Sequence, residues 1–311
     1  MKEKTKILIG APTYNDFQRI NNLLSSIFTF TPREQLAECK FVIVDDGTPD
    51  EAKKEGLREV CRKFDVPLVE HDKNYGIPKA WNSLAQFYDS KFLIIFNDDI
   101  QACEPNWLKC MMYFLENNEN IGSVGWPLIH VDPNTGKPNP RMPLPNLDVN
   151  PGKVGSAVGC CFAVKRKMYD LVPGGFPEFL PSFYEELLFN FELAKRGFAS
   201  FMLPYPAVEH YGSQTFAQNP ELSISKPDPN ILSMEKYKEI MSKKYPMERI
   251  EPKPGYVYRM DFSRVVFGLH FKCKDLIESP QIETHQRYVD ILPKQKIKWL
   301  DKNLVPKEAL L

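Results

Sequence analysis

From Lys6 to Ala11 the chain reads KILIGA, an apolar run stopped by Pro12, which is the texture of a buried strand. Between Asp16 and Phe30 apolar side chains recur at 17, 20, 23, 24, 27 and 28, a helical period, and Asn15 or Asp16 can cap that helix. The alternation then repeats. KFVIVDD (40–46) predicts a second strand ended by Gly47, and Pro49 to Phe64 a helix. PLVEH (67–71) predicts a third strand, and Ile77 to Tyr88 a helix that tolerates Pro78 in its first turn. KFLIIFN (91–97) predicts a fourth strand, Pro105 to Asn117 a helix, and IGSVGWPLI (121–129) a fifth strand. Further on, VGSAVGCCFAV (154–164) and FASFMLP (198–204) have strand character, and Tyr184 to Arg196 is helical and closed by Gly197. Ser233 to Lys244 predicts one more helix.

Strands alternating with helices of this length predict an α/β fold with a parallel sheet of doubly wound type. Ligands of such sheets bind beyond the carboxyl ends of the strands. The polar residues that follow the strands are therefore the ones to watch: Thr13 and Tyr14 after the first, Asp45 and Asp46 at the second, Asp98 and Asp99 after the fourth. Two stretches break the alternation. Residues 132–153 are proline-rich and poor in apolar side chains, a long loop of the kind that often carries function. Residues 217–232 are polar and proline-rich, a linker or lid, and the last sixty or so residues have no clear place on the sheet.

Composition narrows the class. The chain has 311 residues, 43% hydrophobic and 26% charged, enough for a sizeable core and unlike a disordered chain. Forty basic side chains balance forty acidic ones. The segment from Lys253 onward carries 11 Lys or Arg against 7 Asp or Glu, a weak pointer to a polyanionic partner. The seven cysteines match no zinc spacing and read as reduced thiols of a cytoplasmic protein. The start MKEKTKILIGAP lacks the apolar stretch of a signal peptide, and no run is long enough to span a bilayer.

The strongest chemical signal is FNDDI (96–100). Adjacent carboxylates behind a buried strand repel each other, and a divalent cation relieves the repulsion; oxygen ligands favour Mg²⁺ or Mn²⁺ bridging to substrate phosphates. Alone, the pair reads more readily as a solvated turn with two surface acids. VDDGTPD (44–50) is a second pair at a strand end, which alone reads as an Asp-Gly turn. Glu185 and Glu186 open a helix, where the dipole favours acids and where a carboxylate could also act as a general base. His210, in VEHYGSQTF just after a strand, is a structural histidine or a further metal ligand.

Taken together the segments resemble the family 2 inverting glycosyltransferases of GT-A fold, over Lys6 to Phe216. APTYN (11–15), VDDGTPD, NYGIPKAWNSL (74–84), FLIIFNDDIQACEPNWL, GCCFAVKRKMYDLVPGGFPE (159–178) and YEELLFNFELAKRGF (184–198) occur in the family's order. The resemblance implies a Rossmann-like, mixed and mostly parallel sheet flanked by helices. It implies a catalytic domain over residues 1–216, with a donor-binding half (1–100) and an acceptor half (101–216). Residues 217–311 would then form a lid and C-terminal extension.

It also implies roles. Pro12, Thr13 and Tyr14 would contact the donor's base, usually uracil, with Asp46 hydrogen-bonding it. Asn97 and Asp98 would approach ribose and diphosphate, and Asp99 would hold Mn²⁺ or Mg²⁺ with His210 as a further contact. Glu186 falls at the position of the catalytic base, with Glu185 in support, although a swap between them stays open. Two departures from the family pattern stand out: the metal motif begins with Asn, and the base is Glu rather than Asp.

Two rivals remain at this stage. A nucleotidyltransferase also uses sheet-end carboxylates, but APTYND lacks its glycine-rich phosphate cradle. A sugar-nucleotide or glycan-binding module that has lost turnover is the non-enzymatic reading. The acceptor is open among glycan, lipid-linked, protein and modified-DNA hydroxyls. Tyr256, Tyr258, Arg259, Arg264 and Lys272 could stack and pair with a nucleic acid or simply pack on the sheet, and packing is the plainer reading.

Overall fold

The structure, a computed structural model, describes residues 3–117, 119, 121–126, 128–132, 137–138, 154–155, 159–178, 185–196, 198–202, 208–212, 256–259 and 269–272. In chain order the elements are β1 (Lys4–Thr13), α1 (Phe17–Phe30), α2 (Arg33–Leu36), β2 (Cys39–Asp45), α3 (Glu51–Phe64), β3 (Leu68–Glu70), α4 (Ile77–Phe87), β4 (Asp89–Phe96), β5 (Ile100–Ala102), α5 (Trp107–Asn117) and β6 (Ile121–Gly125). There follow β7 (Leu128–Asp132), β8 (Lys137–Pro138), β9 (Val154–Gly155), β10 (Cys161–Lys165), α6 (Arg166–Leu171), α7 (Glu185–Lys195), β11 (Ala199–Met202), β12 (Val208–His210), β13 (Tyr256–Arg259) and β14 (Leu269–Lys272).

Eight strands form the main sheet, in the order β3-β2-β1-β4-β10-β6-β11-β9. β3, β2, β1 and β4 are mutually parallel. β10 runs antiparallel between β4 and β6, β11 is parallel to β6, and β9 closes the edge antiparallel. The sheet is therefore mixed and flanked by helices, as expected for GT-A.

Period-2 alternation sends successive side chains to opposite faces. Ile7, Ile9 and Ala11 of β1, Phe92, Ile94 and Phe96 of β4, and Cys161 and Ala163 of β10 meet α1, α3 and α5 in one core layer. Leu8, Leu93, Ile95, Phe162 and Val164 meet α4, α6 and α7 in the other. Burial on both faces explains why these strands read as unbroken apolar runs. Each fully buried Leu, Ile or Phe contributes about 1.5–3 kcal/mol.

The helices start where the sequence provides acceptors. Asp16 accepts from the backbone N–H groups of Gln18 and Arg19, and Asp50 from those of Ala52 and Lys53; a cap of this kind contributes about 1 kcal/mol. Pro12 follows the last β1–β4 pair, Gly10 with Ile95, so its missing N–H leaves no gap on that side.

Several expectations need correction. The single strand expected over 121–129 is two: β6 stays in the main sheet, and β7 joins a second sheet, β5-β12-β7-β8. The strand expected over 154–164 divides into β9 and β10. His210 does not follow a strand but is the last residue of β12. β5, α2 and α6 were not anticipated. The helix expected from Tyr184 is described from Glu185; Tyr184, Gly197, most of the proline-rich loop, residues 217–232, helix 233–244 and Arg264 lie outside the described residues. β13 and β14 pair antiparallel as a separate two-stranded sheet.

Candidate active site

The carboxyl ends of β1, β2 and β4 gather the residues singled out from the sequence. Thr13 is buried, and its Oγ1 lies 2.7 Å from Asp98 Oδ2 and 3.1 Å from the Asp16 carbonyl oxygen. The next strand is tied on by the Asp46 N–H, which donates to the Thr13 carbonyl at 2.9 Å. Pro12 is buried in β1 and Tyr14 is half-buried beside it.

Asp46 is held from three directions. His71 Nδ1 meets its Oδ1 at 2.8 Å, the Tyr75 N–H donates to Oδ1 at 3.1 Å, and the Gly76 N–H donates to Oδ2 at 2.8 Å. With Nδ1 donating, His71 Nε2 is free to accept from the Ser83 hydroxyl at 2.9 Å. Burial raises the Asp46 carboxyl above its ordinary range, against the pull of these donors. His71 was not anticipated: in PLVEH it reads only as the polar end of a short strand.

Asp98 and Asp99, adjacent in sequence, have opposite environments. Asp98 faces inward, with Arg19 Nη1 at 3.6 Å from its Oδ1. Burial, reinforced by the charge of Asp99, pushes its carboxyl up to about 7, while Arg19 works the other way. Asp99 meets His210, with Oδ2 3.3 Å from Nε2. Burial opposes its charge, but the His210 hydrogen bond and the His210 and Arg19 charges outweigh burial and hold it below the usual range. The register explains the meeting: β12 pairs antiparallel with β5, His210 lies opposite Ile100, and the Tyr211 N–H donates to the Asp99 carbonyl at 2.9 Å.

Antiparallel β10 brings a further group to this rim. Cys161 pairs with Phe96, and the Asn97 N–H donates to the Cys160 carbonyl at 2.8 Å. Cys160 Sγ lies 4.0 Å from His210 Nε2. For the His210 imidazolium burial is unfavourable, but the Cys160 sulfur and the Asp99 carboxylate raise it well above its ordinary value. Burial also raises the Cys160 thiol.

The first turn of α7 completes the cluster. Glu186 is half-buried and passes so close to Gly159 that a Cβ there would stand 2.9 Å from Glu186 Cδ. It is also near enough to Cys160 for its charge to act on the thiol. Glu185 points the other way: it is 4% exposed, its Oε2 has no hydrogen-bond partner among the described residues, and burial followed by the charge of Glu186 raises its carboxyl well above the ordinary value. The two glutamates therefore differ in kind, one interior with its carboxyl raised by burial, one at the rim.

Whether a divalent cation fits can be tested on atoms. Asp99 Oδ1 and Asn97 Oδ1 are buried and lack hydrogen-bond partners among the described residues. No group of three His, Cys, Asp or Glu side chains forms a ready-made cage among the described residues. One carboxylate and, once a cation displaces its proton, the His210 imidazole suit an ion that takes its remaining ligands from phosphates and water, the habit of Mg²⁺ and Mn²⁺. The donor set fits.

The mixed, mostly parallel sheet flanked by helices, with acids at the ends of β2 and β4 and at the head of α7, has the architecture of the GT-A fold. The chain belongs to glycosyl transferase family 2, whose family model matches residues 9–172, and it is a glycosyltransferase. That favours glycosyl transfer over the nucleotidyltransferase reading of the same acids.

Similar solved structures include mannosyltransferase PcManGT from Pyrobaculum calidifontis in complex with GDP-Man and Mn²⁺, at TM-score 0.53 and 17% identity over 76% of this chain and 71% of that one. The 1–349 portion of S. aureus TarS matches at TM-score 0.50 and 15% identity, over 77% and 73%. GalNAc-T7 with UDP, GalNAc and Mn²⁺ matches at TM-score 0.52 and 16% identity, over 78% and 58%. No curated protein matches in sequence. Among the described residues no helix is long and apolar enough to cross a membrane.

Proposed function

We propose that the chain is a metal-dependent inverting glycosyltransferase that moves a sugar from a nucleoside diphosphate, UDP being favoured, to an acceptor hydroxyl. The observation that carries this reading is the Asp99–His210 pair, with Asp99 Oδ1 buried and unpartnered among the described residues, on the same rim as Glu186. Two structurally similar enzymes hold a nucleotide and Mn²⁺, one with GDP-Man and one with UDP. That is in keeping with a diphosphate and a divalent ion, and it leaves the base to this chain's own residues.

Pro12, Thr13 and Tyr14 line the base and ribose side, and Asp46 faces the base, oriented by His71 and the turn at Tyr75–Gly76. Asn97 and Asp98 adjoin the ribose and diphosphate, and Asp99 with His210 would hold Mn²⁺ or Mg²⁺. Bound there, the ion would offset negative charge on the departing diphosphate. Glu186 accepts the proton of the acceptor hydroxyl as that oxygen bonds to the anomeric carbon and the sugar–phosphate bond breaks on the opposite face. Glu185, buried with its carboxyl raised, supports the turn. Residues 1–216 form the catalytic domain, and the acceptor site extends toward 217–311; the acceptor is a glycan or other hydroxyl, with a nucleic-acid acceptor kept as an arm of the test.

The test incubates the protein with nucleoside-diphosphate sugars, Mn²⁺ and a panel of glycan and DNA acceptors, and follows release of the nucleoside diphosphate and the product anomer. Glu186→Gln should bind the donor and lose about 10²–10⁴-fold in transfer. Transfer at the parent rate would move the base elsewhere.

A further inference from the structure

α4 is attached at two points to opposite sides of the site. Its N-terminal end is fixed on the donor side, where the Gly76 N–H donates to Asp46 Oδ2 at 2.8 Å. Further along, Asn82 is 1% exposed and fully engaged. Its Nδ2 lies 2.9 Å from the Phe176 carbonyl, 2.9 Å from Glu178 Oε1 and 3.2 Å from the Gly174 carbonyl. Its Oδ1 accepts from the Phe176 N–H and from the Tyr169 hydroxyl, each at 2.9 Å. One side chain thus holds both backbone groups of Phe176.

The loop it holds is built for that grip. Gly175 has φ +69°, and a Cβ there would come within 2.5 Å of both Asn82 Oδ1 and the Tyr169 hydroxyl. Phe176 is buried and carries the restraint onward: its ring lies 4.6 Å from that of Phe189 in α7 and 5.1 Å from that of Trp81 in α4. Phe189 is one turn beyond Glu186 on the same helix. The path from Asp46 through α4, Asn82, Phe176 and Phe189 is therefore continuous from the donor side to the helix that presents Glu186.

We propose that Asn82 is a positioning residue that sets the aim of Glu186 at the donor by pinning the 174–178 loop against α7. This rests on the reading of Glu186 as the base. Asn82 is buried with its polar atoms taken up by Tyr169 and the 174–178 loop, so its loss misaligns the reacting groups without removing a donor contact. A displacement of about 1 Å at that distance costs on the order of 100-fold in rate.

The closing experiment uses Asn82→Asp, which keeps the acceptor for Phe176 and Tyr169 and loses the donors, and Tyr169→Phe, which removes only the hydroxyl that orients Asn82. Donor-binding sites are counted by titration with Mn²⁺, and transfer is expressed per site. Asn82→Asp should lose about 100-fold in kcat with donor affinity within about twofold of the parent, and Tyr169→Phe should lose less with the same split. Hydrogen exchange on the same samples should quicken in 174–178 and 185–195. Parent-like kcat per site with unaltered exchange overturns the proposal, as does a parallel loss of donor affinity. If Asn82→Asp does not fold, the Tyr169→Phe split decides alone. A parent protein that turns over no nucleotide sugar sinks the functional reading and this one with it, whereas slow exchange in the variant of an active parent sinks this one only.

Discussion

Asp99 Oδ2 lies 3.3 Å from His210 Nε2, so the turn after β4 and the end of β12 share one ion pair. Neither residue belongs to a metal-ligand spacing in the sequence, since the two are far apart along the chain. The pairing of β5 with β12 makes the junction.

The pair sets a metal prediction. Mn²⁺ should raise the melting temperature of the parent protein, and at a hundred times its Kd the stabilisation should be about 2.7 kcal/mol. Asp99→Ala should remain folded and lose that shift together with transfer. A variant that Mn²⁺ stabilises as much as the parent would place the ion elsewhere.

Glu185 gives a pH prediction. Its carboxyl is raised in the fold by burial and by Glu186, so its protonated form is the one the fold favours. The stability this contributes is fully present below the unfolded value of about 4.3 and is lost as pH rises toward the raised folded value. Glu185→Gln stays neutral throughout and should be the more stable protein at neutral pH, with the advantage vanishing in acid. Melting curves from pH 4 to pH 8 check this; a parent and variant that shift in parallel would mean that Glu185 is ionised in the fold.

Gly159 has a narrower purpose. A Cβ at that position would stand 2.9 Å from Glu186 Cδ and 3.1 Å from its Oε2. Because the near atoms are the end of a flexible side chain, Gly159→Ala should fold normally and displace only the carboxylate. Transfer should fall by about tenfold or more with donor affinity preserved. Steady-state kinetics with a donor titration reads both, and an unchanged kcat would show that the carboxylate finds an equally productive position.

Much of this was legible in the chain. Strands buried on both faces write themselves as apolar runs, and acids at their carboxyl ends stand out because burial is costly for a charge. The order KILIGA, VDDGTPD, FNDDI and YEELL was enough to name the fold and to single out most of the acids that the structure gathers at this rim. His71, Arg19 and Asn82 carried no such signal. Each looks like an ordinary polar residue in a helix or at a short strand's end, and its role exists only through partners elsewhere in the chain: Asp46 and Ser83, Asp98, and the 174–178 loop.

The sequence by itself determined the elements, the layers they form and the carboxylates they present, because periodicity and capping act over a few neighbouring residues. Only the tertiary structure decided what surrounds each acid of a pair. Antiparallel β10 brought Cys160 to the rim, β12 brought His210 to Asp99 and left Asp98 facing Arg19, and the seating of α7 buried Glu185 while leaving Glu186 at the rim. Charge and burial are set by what surrounds a group in space, and no local pattern encodes that.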